Sequence, residues 1–257
     1  MEILFVITAT RMRNRYRRFM ARRFGRRMYA MHNKEPFISF SFDDFPVSAV
    51  AVGGAILKRY GFAATYYASL GLMGRDAPAG RIFSAGDLKK VLADGHELGC
   101  HTFAHCHAWE TKASVFEESV LENRRALEKV LSGASFKTMS YPINCPRPET
   151  KRRMDKHFAC CRGGGQTFNA GRADLNHLNA YFLEQSRHDP SAVKKMIERN
   201  CRAYGWLIFA THDVCETPSP FGCTPVFFEE VVQCAALCGA RVLPVGAAWE
   251  AIRGSQG

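Results

Sequence analysis

No stretch of this 257-residue chain reaches the ~18 consecutive apolar residues that a membrane-spanning helix requires. Its ten cysteines include no C-x-x-C pair, and no Cys/His spacing matches a zinc finger. No internal repeat or low-complexity linker follows residue 35. No acidic residue occurs between Arg11 and Arg27. The first two absences exclude a transmembrane protein and a zinc-finger module. The scattered cysteines read as reduced, mostly buried thiols of a cytoplasmic protein. Glycine (21), proline (11) and an apolar share of 47 % are ordinary, which excludes collagen-like and largely disordered chains.

What is present is an uneven charge. The formal charge is +11, and nine of the 35 basic residues are arginines between Arg11 and Arg27. Without those nine, 26 basic residues stand against 24 acidic ones, so the remaining chain is close to neutral. Tyr16, Phe19, Met20 and Phe24 are interleaved with the arginines. That pattern suits a cationic amphipathic helix on an anionic surface, or a frayed, solvated leader. Residues 1–35 therefore read as a basic leader, helical or disordered, and 36–257 as one folded body. An anionic membrane surface is the partner expected for residues 11–27, and nucleic acid is not expected. Residues 1–10 resemble a signal h-region, but the positive charges follow it and no A-x-A-like site comes next. No secretory signal is read, and the expected location is cytoplasmic, at most peripheral to a membrane.

After residue 35, short apolar runs alternate with helix-like stretches. Strands are expected at 37–42, 64–68, 97–100, 138–141, 157–161, 206–211 and 241–245, with a weaker one at 181–183. Helical spacing covers 48–60, 85–94, 115–131, 190–203 and 225–238. Seven or so strand–helix alternations imply a parallel sheet with crossover helices. No Gly-rich phosphate fingerprint follows the first strand, which favours a closed or nearly closed barrel over an open doubly wound sheet. Chemistry is then expected at the C-terminal ends of the strands.

Three strand ends carry titratable groups. The first ends in Asp43-Asp44, whose adjacent carboxylates are costly beside an apolar strand unless partnered; a helix N-cap is the bland alternative. Another runs into His101-Thr102-Phe103-Ala104-His105, and histidines four apart lie on one helical face or converge across a tight loop. One Asp with two His is a common three-ligand set for a catalytic divalent ion. The strand at 206–211 runs into His212-Asp213.

Read together, SFDD, HTFAH, the Tyr141-Pro142 of Ser140–Asn144 and FATHD resemble, in order, the signature blocks of the polysaccharide deacetylases. The resemblance covers roughly residues 36–247. It implies a distorted, incompletely closed (β/α) barrel of about seven parallel strands and a metal-dependent hydrolase that removes N-acetyl groups from an amino-sugar oligo- or polysaccharide. By resemblance, Asp44, His101 and His105 are the metal ligands, Asp43 the general base and His212 the general acid. Tyr141 and Ile143 are the expected substrate-binding residues, with a main-chain N–H near Ile143 as oxyanion donor. One divalent ion is implied: zinc first, with cobalt, nickel or manganese as alternatives. The carbohydrate is the expected partner.

The chain also departs from the pattern. Ser140-Tyr141 stands where many relatives carry an arginine before proline, leaving Arg147 or Arg162 to steady the base. Ile143-Asn144 replaces Tyr-Gly, and the region of Asp174 and His177 matches an Asp-x-x-Asp-Trp block poorly. A non-sugar or lipid-linked amide, or a catalytically impaired barrel tethered by its basic leader, are the competing readings.

Overall fold

The computed structural model describes residues 2–255, with side chains from Arg11 onward. Along the chain come α1 (Glu2–Arg23), β1 (Met28–Ala30), β2 (Phe37–Phe42), a π-helical stretch (Ala49–Gly54) that continues into α2 (Ala55–Arg59), and β3 (Thr65–Ala68). Next are the hairpin β4 (Asp76–Ala77)–β5 (Gly80–Arg81), α3 (Ala85–Ala93), β6 (Glu97–Cys100), α4 (Ala113–Val130) and β7 (Thr138–Ser140). They are followed by α5 (Pro148–Met154), β8 (Cys160–Arg162), β9 (Arg172–Asp174), β10 (Tyr181–Phe182) and α6 (Pro190–Arg202). The chain closes with β11 (Trp206–Thr211), α7 (Pro225–Leu237), β12 (Arg241–Val242) and α8 (Val245–Gly254).

Seven strands lie side by side in the order β10-β11-β2-β3-β6-β7-β8, all parallel, and β12 pairs with the first residues of β2. Between the outer strands β8 and β10 runs an irregular segment. There Gly163 N–H donates to the Leu178 carbonyl and Gln166 N–H to that of Ala180, each at 2.9 Å. The sheet is thus a curled, incompletely closed seven-stranded barrel, as the alternation of strands and helices predicts.

Strand β2 shows how the sequence builds this arrangement. All six of its residues are buried. Ile38, Phe40 and Phe42 join the large apolar cluster that includes Phe228 of α7. Ser39 and Ser41 alternate with them and would be costly in an apolar core without partners. Trp206 Nε1 donates to Ser39 Oγ at 2.9 Å, and Ser41 Oγ donates to the Phe209 carbonyl at 2.8 Å. Asp43 continues this odd-numbered, polar series just past the strand end.

The structure moves or adds several elements. The strand expected at 157–161 forms at Cys160–Arg162. His157 and Phe158 are still held in the turn after α5, both N–H groups donating to the Met154 carbonyl. The shift places Arg162, instead of Cys161, at the strand end. Helices α5 and α8 occupy stretches given no element from the sequence, and Val242 ends the last strand three residues early.

The basic segment is joined to the body. Buried Lys151 of α5 donates from Nζ to the Ala21 and Phe24 carbonyls at the end of α1 (2.7 and 2.9 Å) and pairs with Asp174 at 2.6 Å. That satisfies carbonyls a helix end leaves open and sets a cation at its negative pole. Gly25 then turns at φ +61°, where a Cβ would lie 2.4 Å from the Pro148 carbonyl oxygen. Strand β1 pairs antiparallel with β9, and Arg17 pairs with Glu110 at 3.0 Å.

Candidate metal centre and active site

Asp44, His101 and His105 meet at the C-terminal rim of the sheet. Their candidate ligand atoms all lie within 4.8 Å of one another. Asp44 Oδ1 is 3.6 Å from His101 Nε2 and 3.2 Å from His105 Nε2. His101 follows β6 directly; His105 returns through a tight loop, not along a helical face. Thr102 and His105 take positive φ (60° and 51°), and the Thr102 hydroxyl accepts from Cys106 N–H at 2.9 Å. Asp44, Phe45, Ile143 and Asn144 also have positive φ. Such non-glycine conformations cost about 1–3 kcal/mol each, and here they gather around one site.

The donor set fits a divalent cation. His101 Nδ1 lies 2.9 Å from the Ser140 carbonyl, which can only accept, so Nδ1 carries the proton and Nε2 presents its lone pair to Asp44. Burial lowers the His101 pKa to about 4, against the raising effects of Asp43 and Asp44, and keeps the ring neutral as a ligand must be. Asp44 Oδ1 is buried without a hydrogen-bond partner, an orphan that a cation would satisfy.

Asp43 lies beside this cluster, 3 % exposed. Burial would raise its pKa, but Arg162, His101 and His212 outweigh that and hold the carboxyl well below the usual carboxylate range. Arg162, fully buried, donates to Asp43 Oδ1 and to Ser140 Oγ, and its Nη1 donates to the Gly163 carbonyl at 3.2 Å. Its guanidinium stacks over Tyr67 (5.1 Å) and Phe182 (5.6 Å). Of the two arginines left open by the sequence, Arg162 contacts Asp43, whereas Arg147 donates to the Trp109 carbonyl. Ser140 is thus a junction that sequence reasoning did not single out: its carbonyl orients His101 and its hydroxyl accepts from Arg162.

His212 completes the rim, with Nε2 4.0 Å from Asp44 Oδ2 and Nδ1 3.2 Å from the Phe221 carbonyl. The neighbouring Asp213 faces its own loop, accepting from Ser219 N–H (2.7 Å) and Oγ (2.5 Å).

One expectation is corrected. The Tyr141 side chain does not reach the cleft: it is fully buried against Phe116 and His177, and its N–H donates to the Arg162 carbonyl at 3.0 Å. The Asp174/His177 region binds structure together: Asp174 accepts from Lys151 and from the Arg27 N–H, and His177 Nε2 meets the Asn144 carbonyl at 3.0 Å. Ile143 is 55 % exposed, and its N–H has no partner among the described residues. The nearby thiols of Cys145, Cys215 and Cys223 are all pushed upward by burial, which suits none of them to act as a thiolate. The sequence also gave no sign of Glu184. Its carboxyl is pushed up to about 7, by burial first, and it feels the charges of His212, Asp43 and Arg162.

The family model for polysaccharide deacetylases matches residues 30–157, which hold Asp43, Asp44, His101 and His105. The chain belongs to the polysaccharide deacetylase family. Solved structures of similar fold include the Xyl-CE4 domain of a multidomain xylanase from the hindgut metagenome of Trinervitermes trinervoides (16 % identity, TM-score 0.59, covering 86 % of this chain and 92 % of that one). A family 4 acetyl xylan esterase from Clostridium thermocellum, in complex with a cobalt ion, is similar too (18 %, 0.56, 85 % and 92 %). So is a CE4-family pseudoenzyme from Bacillus anthracis (11 %, 0.59, 86 % and 68 %). At these identities the likeness shows the fold alone. No curated protein matches the chain by sequence. Family membership and the Asp44–His101–His105 cluster together make this polysaccharide deacetylase a metal-dependent hydrolase of carbon–nitrogen bonds other than peptide bonds, acting on a sugar.

Proposed function

We propose that the protein removes N-acetyl groups from an N-acetylated amino sugar, with Asp43 as general base and His212 as general acid. The observation that carries this reading is the cluster of Asp44, His101 and His105 with a buried, unbonded Asp44 Oδ1, set beside a separate ionised carboxylate. Asp44, His101 and His105 would hold the ion, and their oxygen and imidazole donors suit zinc first, then cobalt, nickel or manganese. Bound there, a divalent ion supplies Lewis acidity, polarising the acetyl carbonyl and acidifying water.

The protein's own groups account for the proton movements. Arg162 fixes Asp43 through Oδ1, so Oδ2 is left to accept the proton of the attacking water. The Phe221 carbonyl holds His212 by Nδ1–H, directing Nε2 toward the cleft; protonated there, it hands a proton to the departing amine. The unpartnered Ile143 N–H is the candidate donor to the developing oxyanion, and its side chain is irrelevant to that role. Acetate release from chitooligosaccharides, measured with each metal in turn, tests the reaction and the metal preference.

The same proposal includes a cytoplasmic protein resting on an anionic membrane surface through residues 11–27. Met12, Tyr16 and Phe19 are exposed (68 %, 57 % and 56 %) at spacings that share one helix face of α1. Arg11, Arg15, Arg18 and Arg22, also exposed, form the adjacent stripe. An apolar stripe flanked by arginines is the composition of an interfacial helix.

A further inference from the structure

Four arginines of the basic segment divide into two pairs. Arg17 is paired with Glu110 and stacked over Trp109 at 5.7 Å. Farther on, Arg27 is paired with Asp155 and donates to the Phe158 and Ala159 carbonyls. These two fasten the segment to the body. Arg18 and Arg22 have no hydrogen bond or ion pair among the described residues, and both line a cleft of about 360 Å³.

Two of the cleft's other lining residues, Asn144 and Phe182, adjoin the catalytic rim. Asn144 follows Ile143, the candidate oxyanion donor, and Phe182 is the ring over which Arg162 stacks. Two positive charges and no carboxylate line it. The main-chain N–H groups of Gly164 and Gly165 also border it without backbone partners. The positive character continues into an adjoining depression that shares Arg22 and adds Arg26 and Arg172. Asp174, the one acid there, is already held by Lys151 at 2.6 Å. Unpaired guanidinium groups together with open backbone N–H donors match an anion whose oxygens point in several directions. A neutral sugar ring would leave both charges unanswered.

We propose that this cleft is a phosphate subsite of the active site, and that the substrate is an N-acetylated amino sugar carrying a phosphate or pyrophosphate ester. The inference rests on the deacetylase reading for the identity of the sugar. It gives the arginine helix a place in substrate recognition in addition to its contact with a surface. Two sources of such a group fit the chemistry: a water-soluble nucleotide diphosphate sugar, or a sugar joined through phosphate to an isoprenoid lipid.

Equilibrium binding to the metal-loaded protein tests the subsite independently of turnover. N-acetylglucosamine 1-phosphate is compared with N-acetylglucosamine by calorimetry or NMR titration. The expected result is about tenfold or more tighter binding of the phosphorylated sugar, falling as salt rises. That advantage is expected to vanish in Arg18→Gln/Arg22→Gln and to persist in Lys194→Gln/Lys195→Gln, which loses the same charge elsewhere. Equal binding of the two sugars, or an advantage that survives Arg18→Gln/Arg22→Gln, overturns the proposal. Acetate release from the same ligands is scored separately, so failure of the deacetylase reading is distinguishable from failure of the subsite. A final pair of ligands, a nucleotide diphosphate N-acetylamino sugar in solution and a polyisoprenyl phosphate N-acetylamino sugar in phosphatidylcholine vesicles, identifies the source of the phosphate.

Discussion

At the scale of single residues, two neighbouring aspartates have different work. Asp44 faces the two imidazoles, and Asp43 faces a buried guanidinium. Asp43→Asn is therefore expected to lower kcat by about 10²–10⁴ while elemental analysis shows unchanged metal content. Loss of metal in that variant would mean that Asp43 is itself a ligand. Arg162 lowers the Asp43 pKa, so Arg162→Gln raises it, and the acid limb of the kcat/KM–pH profile should move upward. Breaking a buried ion pair from one side costs about 3–5 kcal/mol, so denaturant unfolding should show Arg162→Gln to be much less stable than the double variant Asp43→Asn/Arg162→Gln. Glu184 gives a second pH dependence. Its carboxyl is raised from 4.5 to about 7 by burial, so the folded state holds that proton more tightly than the unfolded chain. The wild type should lose stability relative to Glu184→Gln as pH rises across that interval, read as a widening gap in Tm. A constant gap would show that Glu184 is solvated in the folded protein.

At the scale of elements, the sheet and the ligand triad were legible because they obey local rules. FISFSF alternates, HTFAH carries its spacing on its face, and FATHD ends an unbroken apolar strand. The partner of Asp43 was legible only as a choice between Arg147 and Arg162. Arg162 lies 119 residues away, at the end of a strand displaced from its expected position, and only pairing of β7 with β8 brings it to Ser140. Tyr141 misled because its place in a motif said nothing of the backbone hydrogen bond that turns its side chain inward. Nor did local pattern reveal what holds α1, since Lys151 sits in the basic run Lys-Arg-Arg and is nonetheless buried. Lys151→Met is expected to loosen α1, giving faster proteolysis within residues 11–27 and faster amide exchange there, with the barrel amides little changed. Unchanged protection in α1 would assign its docking to other contacts.

At the scale of the whole molecule, the positive charge and the chemistry meet. The charge excess lies on α1 and the turn after it, and Lys151, Asp174 and the β1–β9 pairing hold that helix beside the loops that carry Glu110 and Asn144. Binding to vesicles containing anionic lipid should weaken steeply with salt, since exposed charges are screened over ~8 Å at physiological ionic strength. It should be lost when residues 1–23 are removed, as read by co-sedimentation. Salt-independent binding would place the membrane contact elsewhere. The central claim is that Asp44, His101 and His105 hold a metal ion that makes the protein a deacetylase, and acetate release from chitooligosaccharides measures it most directly. The account predicts equimolar acetate and free amine from the zinc-loaded protein, loss of both on chelation, recovery on adding metal back, and no recovery in His105→Ala. Absence of acetate from every N-acetylated sugar offered to the metal-loaded protein, or release indifferent to chelation, would contradict it.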